Sequence, residues 1–167
     1  MNKITLSLIA IFAILALSNC KKKTEEPVPA PSRSTLIVKS WVLTGATASP
    51  AVNGLTNVYF LLPPCDADDQ YIFKADKTIE VQEGSSTACK NGKPATEVKN
   101  QGTWSFNTDE SKLTFKAGLF NIQADILEMS ATQMKLRTDA SAFATLAATY
   151  NIIIPSGTKA DLTFTAQ

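Results

Sequence analysis

Asp69-Gln70-Tyr71-Ile72-Phe73-Lys74-Ala75-Asp76-Lys77-Thr78-Ile79-Glu80-Val81-Gln82 decides the fold. Tyr71 and Phe73 alternate with Ile72 and Lys74, Ile79 and Val81 alternate with Glu80 and Gln82, and Ala75-Asp76-Lys77 carries turn chemistry between them. Successive side chains of a strand point to opposite faces, so a repeat of two marks a strand with one buried face. The stretch predicts a hairpin with Tyr71, Phe73, Ile79 and Val81 turned toward a core.

The same period continues on both sides. Trp41 and Leu43 open the series; Trp104 with Phe106, Leu113 with Phe115, residues 120–126, Met134 with Leu136, residues 150–154, and Leu162 with Phe164 extend it. The intervals Thr108-Asp109-Glu110-Ser111, Ser130-Ala131-Thr132 and Pro155-Ser156-Gly157 lie where a hairpin reverses the chain. Residues 140–148 are the best, weak, helical stretch. Eight or nine short strands joined in sequence predict an all-β, up-and-down antiparallel meander. Closing it into a barrel removes two open edges.

Two segments interrupt the meander. Residues 45–68 contain Gly45, Pro50, Gly54 and Pro63-Pro64, too many breakers for a central strand. They predict a long connection with one small helix or strand near residues 58–62. Residues 83–97, rich in Gly, Ser, Thr and Lys, predict an exposed loop.

Ahead of the barrel lies a different kind of sequence. Met1-Asn2-Lys3 precedes an apolar run over residues 4–17, and then Ser18-Asn19-Cys20. Such a run describes a secretory signal, because a membrane span needs about 20 apolar residues. Leu17-Ser18-Asn19-Cys20 resembles the lipobox of bacterial lipoproteins, with Asn19 where Gly, Ala or Ser is usual. The resemblance implies a signal peptide over residues 1–19 and a diacylglyceryl group on Cys20; an ordinary secreted protein is the alternative. Lys21-Lys22-Lys23, Glu25-Glu26 and Pro27, Pro29 and Pro31 then make residues 20–35 a lipidated cysteine and flexible tether, leaving residues 36–167 as the folded domain. Two or more acyl chains anchor stably where one does so marginally. The expected address is the outer membrane of the cell envelope, on its periplasmic face or the cell surface.

Removing residues 1–19 from the 167 leaves 148, enough for one domain with a proper core. It also removes Lys3, so the 16 basic and 15 acidic side chains become 15 and 15. A balanced chain offers no electrostatic footprint for nucleic acid. With no histidine in the sequence there is no Ser-His-Asp or Cys-His arrangement and no imidazole metal ligand, and no Gly-rich phosphate loop follows a strand. Neither an enzyme nor a cofactor is expected. Asp66-Ala67-Asp68-Asp69 lacks the glycine and glutamate of a calcium loop, so it reads as a solvated acidic loop with Asp69 satisfying backbone donors at the start of its strand. No metal site is expected.

With Cys20 assigned to lipid, Cys65 and Cys89 remain, outside the cytoplasm and without a Cys-x-x-Cys spacing. A Cys65–Cys89 disulfide would close a ring of 25 residues (65 through 89), a constraint worth about 3 to 4 kcal/mol on the chain-entropy account. It would staple the long connection to the exposed loop.

The order Cys65, Asp69-Gln70-Tyr71-Ile72-Phe73, Asp76-Lys77-Thr78-Ile79, Cys89, Gly102-Thr103-Trp104 and Leu113 resembles the lipocalin-like domain of many Gram-negative lipoproteins, over most of residues 36–138. Lys77 stands where that family commonly has glycine. The resemblance implies a small eight-stranded barrel whose interior is just wide enough for one small ligand. Trp41, Tyr71, Phe73, Trp104, Phe106 and Phe115 are the ligand-contact candidates, with Ile122, Met134, Tyr150 and Phe164 as further inward positions. Each of these positions is more often plain core than a ligand contact, because a barrel of this size can be filled by its own side chains. The expected function is a membrane-anchored, monomeric binding module for a small hydrophobic molecule. The alternative is an interaction lipoprotein with a packed barrel whose loops meet an envelope protein or glycan.

Overall fold

A computed structural model of the chain describes residues 30–62, 66–84, 97–118, 120–149 and 151–167. The expected signal peptide, the expected lipidation site Cys20 and the expected Cys65–Cys89 disulfide lie outside the described residues. The compact unit runs from Pro31 to Gln167. Within it, α1 is one turn over Arg33–Leu36, followed by β1 (Ser40–Val52), β2 (Leu55–Asn57), β3 (Gln70–Phe73), β4 (Thr78–Gln82), β5 (Val98–Phe106), β6 (Lys112–Ala117), β7 (Phe120–Met129) and β8 (Gln133–Asp139). A 3₁₀ turn at Ala140–Phe143 leads into α2 (Ala144–Thr149), and β9 (Lys159–Ala166) ends the series.

All neighbouring strands are antiparallel; β1 lies between β2 and β3, the strands from β3 to β9 follow chain order, and β1 also pairs with β9. That last pairing closes the sheet: of nine strands, all but β2 form an eight-stranded barrel, and β2 is a flap on the end of β1. The expected up-and-down barrel is therefore the observed fold. The opening hairpin pairs Tyr71 with Val81 and Phe73 with Ile79. Its turn puts Lys77 at φ 69°, a left-handed conformation that costs a non-glycine residue about 1 kcal/mol or more. Lys77 Nζ lies 3.9 Å from the centre of the Trp104 ring, an attraction of comparable size that offsets the strain.

Two expectations are corrected. β1 does not stop before Gly45 but continues to Val52. Gly45 falls at a bulge, where the register with β9 slips between Leu43 and Gly45, and Pro50 lies beyond Ser49, the last residue paired with β9. Neither breaker removes a hydrogen bond that the barrel needs. Asn53 (φ 50°) and Gly54 (φ 79°) then form the two-residue turn that pairs Val52 with Leu55. The second correction is at residues 151–154, which alternate like a strand yet pair with none; Ile152 and Ile154 are instead half-buried and Ile153 is exposed. Alternation reports a segment with one covered face, and here the cover is not a sheet. The short 3₁₀ turn at Tyr59–Leu61 and the helical stretch after β8 agree with expectation.

The chain enters the barrel at one pole. Ser32 caps α1 through a hydrogen bond from Thr35 N–H. Arg33 N–H and Ser34 Oγ donate to the Glu110 carboxylate in the β5–β6 turn. Ile37 is fully buried, and its carbonyl accepts from Trp41 Nε1 at 2.9 Å. The segment just ahead of β1 thus plugs the pole where β1, β4, β6 and β8 begin.

Candidate functional site

Side-chain size falls along the barrel axis, and that gradient makes the site. At the plugged pole, register aligns Leu43 of β1 with Phe164 of β9, Phe164 with Met134 of β8, and Met134 with Met129 of β7. One layer up stand Ala46, Leu162, Leu136 and Ile126. Toward the opposite pole β1, β9 and β8 carry Ala48, Ala160 and Thr138. Small side chains leave room that large ones fill, so the same inward-facing strands are packed at one end and hollow at the other.

The expected ligand contacts lie at or near the packed end. Phe73 meets Trp104 and Phe115 edge-on at 5.9 and 5.8 Å between ring centres, and Trp104 meets Phe106 at 5.5 Å. Tyr71 packs on Phe164 at 5.6 Å. Trp41, Phe73, Trp104 and Phe115 are buried, Tyr71 and Phe106 half-buried. Edge-to-face pairs of this kind add about 0.5 to 1.5 kcal/mol beyond the area they bury. Ile122 and Met134 are also buried, while the Tyr150 side chain lies outside the described residues.

At the hollow pole is an apolar pocket of about 120 Å³. Leu43, Ala46, Ala48 and Val52 of β1 and Ala160 and Leu162 of β9 form its floor and one wall. Two connections form the rest: Val58, Leu61 and Leu62 ahead of β3, and Ala140, Phe143, Ala147, Ile152 and Ile154 between β8 and β9. None of Trp41, Tyr71, Phe73, Trp104, Phe106 or Phe115 lines it. Sequence reasoning passed over its floor because alanine carries little hydrophobic weight; the legible signal was small residues at inward positions of β1 and β9.

Beside the mouth, on the β3–β4–β5 side, sits a cluster of charge. Lys99 Nζ is 2.7 Å from Asp66, 2.9 Å from Asp69 and 3.5 Å from Glu83. The acidic stretch is therefore not the solvated loop expected from sequence: Asp69 is only 4% exposed, because Lys99 gives its carboxylate a partner under cover. Burial pushes the Asp69 carboxyl up to about 6, against the pull of Lys99 and aided by Asp66 and Glu83. Burial works against the charge on Lys99, but its hydrogen bonds to Asp66 and Asp69 outweigh this and hold it protonated. Desolvation pushes the Tyr71 phenol up as well, so it stays neutral beside these carboxylates. Asp69 Oδ1 and Glu83 Oε1 are buried, with no hydrogen-bond partner among the described residues. Among the described residues no group of three or more Cys, Asp or Glu is arranged to hold a metal ion.

A closed eight-stranded meander, plugged at one pole and apolar at the other, defines a small β-barrel of the cup-shaped class. The sequence model of a family described as the lipocalin-like domain matches residues 37–136, and the chain belongs to that family. The match spans β1 to the middle of β8; β9 and the helical connection that roofs the pocket lie beyond it. No curated protein matches the chain significantly.

Proposed function

We propose that this protein is a membrane-anchored cell-envelope lipoprotein whose barrel mouth holds a small hydrophobic molecule. The pocket between β1, β9 and the two connections carries the reading, since its lining is apolar throughout. Its size sets the ligand class. About 120 Å³ is close to the roughly 150 Å³ cavity that admits benzene, and well short of the roughly 300 Å³ at which drug-sized pockets begin. A single ring or a short stretch of acyl chain enters, and the remainder of a longer ligand projects past the rim. The aromatic candidates, Trp41, Tyr71, Phe73, Trp104, Phe106 and Phe115, then serve as the rigid base on which the cup stands. No catalytic role is proposed.

Titration of the mature protein with N-phenyl-1-naphthylamine, an uncharged probe that fluoresces in apolar surroundings, tests the pocket. Saturable binding is expected, weakened about tenfold or more by Ala160→Leu, whose added carbons occupy a methylene-scale share of the cavity. Binding that Ala160→Leu leaves unchanged would place the probe elsewhere and sink the reading. The anchor is tested separately, by mass spectrometry of membrane-extracted protein: a diacylated Cys20 at the new N-terminus is expected, and an unmodified Cys20 ends the lipoprotein assignment. Exposed Leu55, Phe60 and Ile153 on the segments around the pocket favour a second reading, docking of the rim to an envelope partner. Crosslinking that needs Phe60 and Ile153 while the barrel binds no probe would favour it over the first.

A further inference from the structure

Charge is distributed unevenly along this chain. It carries 16 basic and 15 acidic side chains in 167 residues, yet residues 48–62 and 140–158 contain none. These are the stretches that build the mouth: the end of β1, the β2 flap and the 3₁₀ turn at Tyr59–Leu61 on one side, and the helical connection between β8 and β9 on the other. Charge resumes where the second stretch rejoins the barrel wall, at Asp139 and Lys159, paired at 2.7 Å. Next along the same strands come Arg137 and Asp161, paired at 2.6 Å.

Both stretches turn apolar side chains outward as well as inward. Ile152 and Ile154 line the pocket while Ile153 between them is 78% exposed, and Leu61 and Leu62 line it while Phe60 is 58% exposed. Leu55, at the start of the β2 flap, is also exposed, and Val98 opens β5 at the same pole. Of the large apolar side chains exposed among the described residues, Leu127 alone, near the end of β7, stands away from it. Scattered singly such side chains need no explanation; gathered round one apolar opening, they mark a contact surface. The absence of charge selects the partner. Protein interfaces draw on arginine and are rimmed by polar and charged side chains, and phosphates or acidic glycans call for cations. A lipid bilayer is the surface these stretches match, because a charged side chain carried toward hydrocarbon is costly while an apolar tip gains by leaving water.

We propose that the mouth rim docks on a lipid bilayer, with Leu55, Phe60 and Ile153 entering the interface and the Asp139–Lys159 pair marking the depth at which entry stops. Ligand then passes between bilayer and pocket without crossing water. The docking stands on the rim alone; this transfer rests on the mouth being the binding site. The chain joins the barrel at the plugged pole through α1, and from Cys20 to Pro31 it reaches up to about 40 Å when extended. Eight-residue strands such as β9, tilted about 40°, make a barrel about 20 Å tall. A lipid on Cys20 therefore does not hold the mouth away from the bilayer.

Cosedimentation with large unilamellar vesicles tests the docking on the mature chain carrying Cys20→Ser, so that no acyl group contributes. The protein should bind vesicles of phosphatidylcholine alone. Its partition coefficient should change by less than about twofold when a quarter of the lipid is phosphatidylglycerol, or when NaCl rises from about 0.05 to about 0.5 M. Phe60→Ser and Ile153→Ser should each weaken binding about tenfold, the scale of burying one large apolar side chain, and Leu127→Ser should leave it unchanged. Failure to bind phosphatidylcholine, binding that needs phosphatidylglycerol and is lost in salt, or binding that both rim variants retain overturns the docking. A dimer in solution that Phe60→Ser and Ile153→Ser dissolve overturns it too, assigning the rim to a second copy. Ala160→Leu, which fills the pocket and leaves the rim intact, should bind vesicles as the wild type does; loss of binding there would mean that the pocket, not the rim, holds lipid. Vesicle binding by a chain that shows no saturable binding of N-phenyl-1-naphthylamine keeps the docking and refutes the pocket.

Discussion

The two poles of the barrel are made by the same strands and do opposite work. At the plugged pole Leu43, Phe164 and Met134 stand in register and Ile37 seals the end; at the mouth the corresponding row is Ala48, Ala160 and Thr138. The same antiparallel ladder runs through both. What differs is side-chain volume at alternate positions, which means that stability and ligand space can be changed independently in one molecule. The aromatic pole holds the barrel shut so that the alanine pole can remain partly empty.

The strongest way to break that division is to hollow out the packed pole. Trp41→Ala or Phe73→Ala should cost about 3 to 5 kcal/mol, the usual range for deleting a buried aromatic side chain, as read by urea unfolding. Gly102→Val belongs with them, because even a Cβ at Gly102 would sit 1.5 Å from the Lys116 carbonyl oxygen, and β5 and β6 must part to admit it. If Phe73→Ala leaves stability nearly intact, the packed pole is not the support described here.

At the mouth the expected sign is different. Ala160→Leu adds carbon where space already exists, so its stability should change by less than about 1.5 kcal/mol while probe binding collapses. A large destabilisation by Ala160→Leu would mean that the mouth is as tightly packed as the base. The comparison is sharpened by pH. Asp69 near the mouth binds its proton more tightly in the folded chain, at about 6, than at the ordinary value of 3.8. Stability contributed by this group therefore falls as pH rises from about 4 to about 6, and levels off above. Thermal unfolding should show that slope in the wild-type protein and lose it in Asp69→Asn.

The smallest effect belongs to Lys77, back at the packed pole. Replacing it with glycine relieves the left-handed φ of 69° but forfeits the contact with Trp104. Each is worth about 1 kcal/mol, so Lys77→Gly should leave the unfolding midpoint nearly unmoved. A clear gain in stability would show that the cation–aromatic contact contributes little.

Period-two alternation was enough to place eight of the nine strands, because a barrel with a single buried face imposes that pattern on each of them. It failed where alternation and pairing part company. Residues 151–154 alternate because Ile152 and Ile154 roof a pocket, and β2 was missed because only Leu55–Asn57 are involved, although Asn53-Gly54 is a strong hairpin signal. Gly45 and Pro50 misled for a further reason. A breaker is harmful only where its hydrogen bond is needed, and their positions at a bulge and past the last paired residue appear only once the register is known. The site was less legible than the fold. Aromatic residues draw the eye as ligand contacts, yet in this barrel they fill space, and a cavity is written in the sequence by what is small.

The most direct test of the central claim is methyl NMR of the mature protein with N-phenyl-1-naphthylamine added in steps. The account predicts saturable shifts at the Ala46, Ala48, Ala147 and Ala160 methyls, with the indole N–H signals of Trp41 and Trp104 unmoved. Shifts confined to the tryptophan pole, or none anywhere, would contradict it.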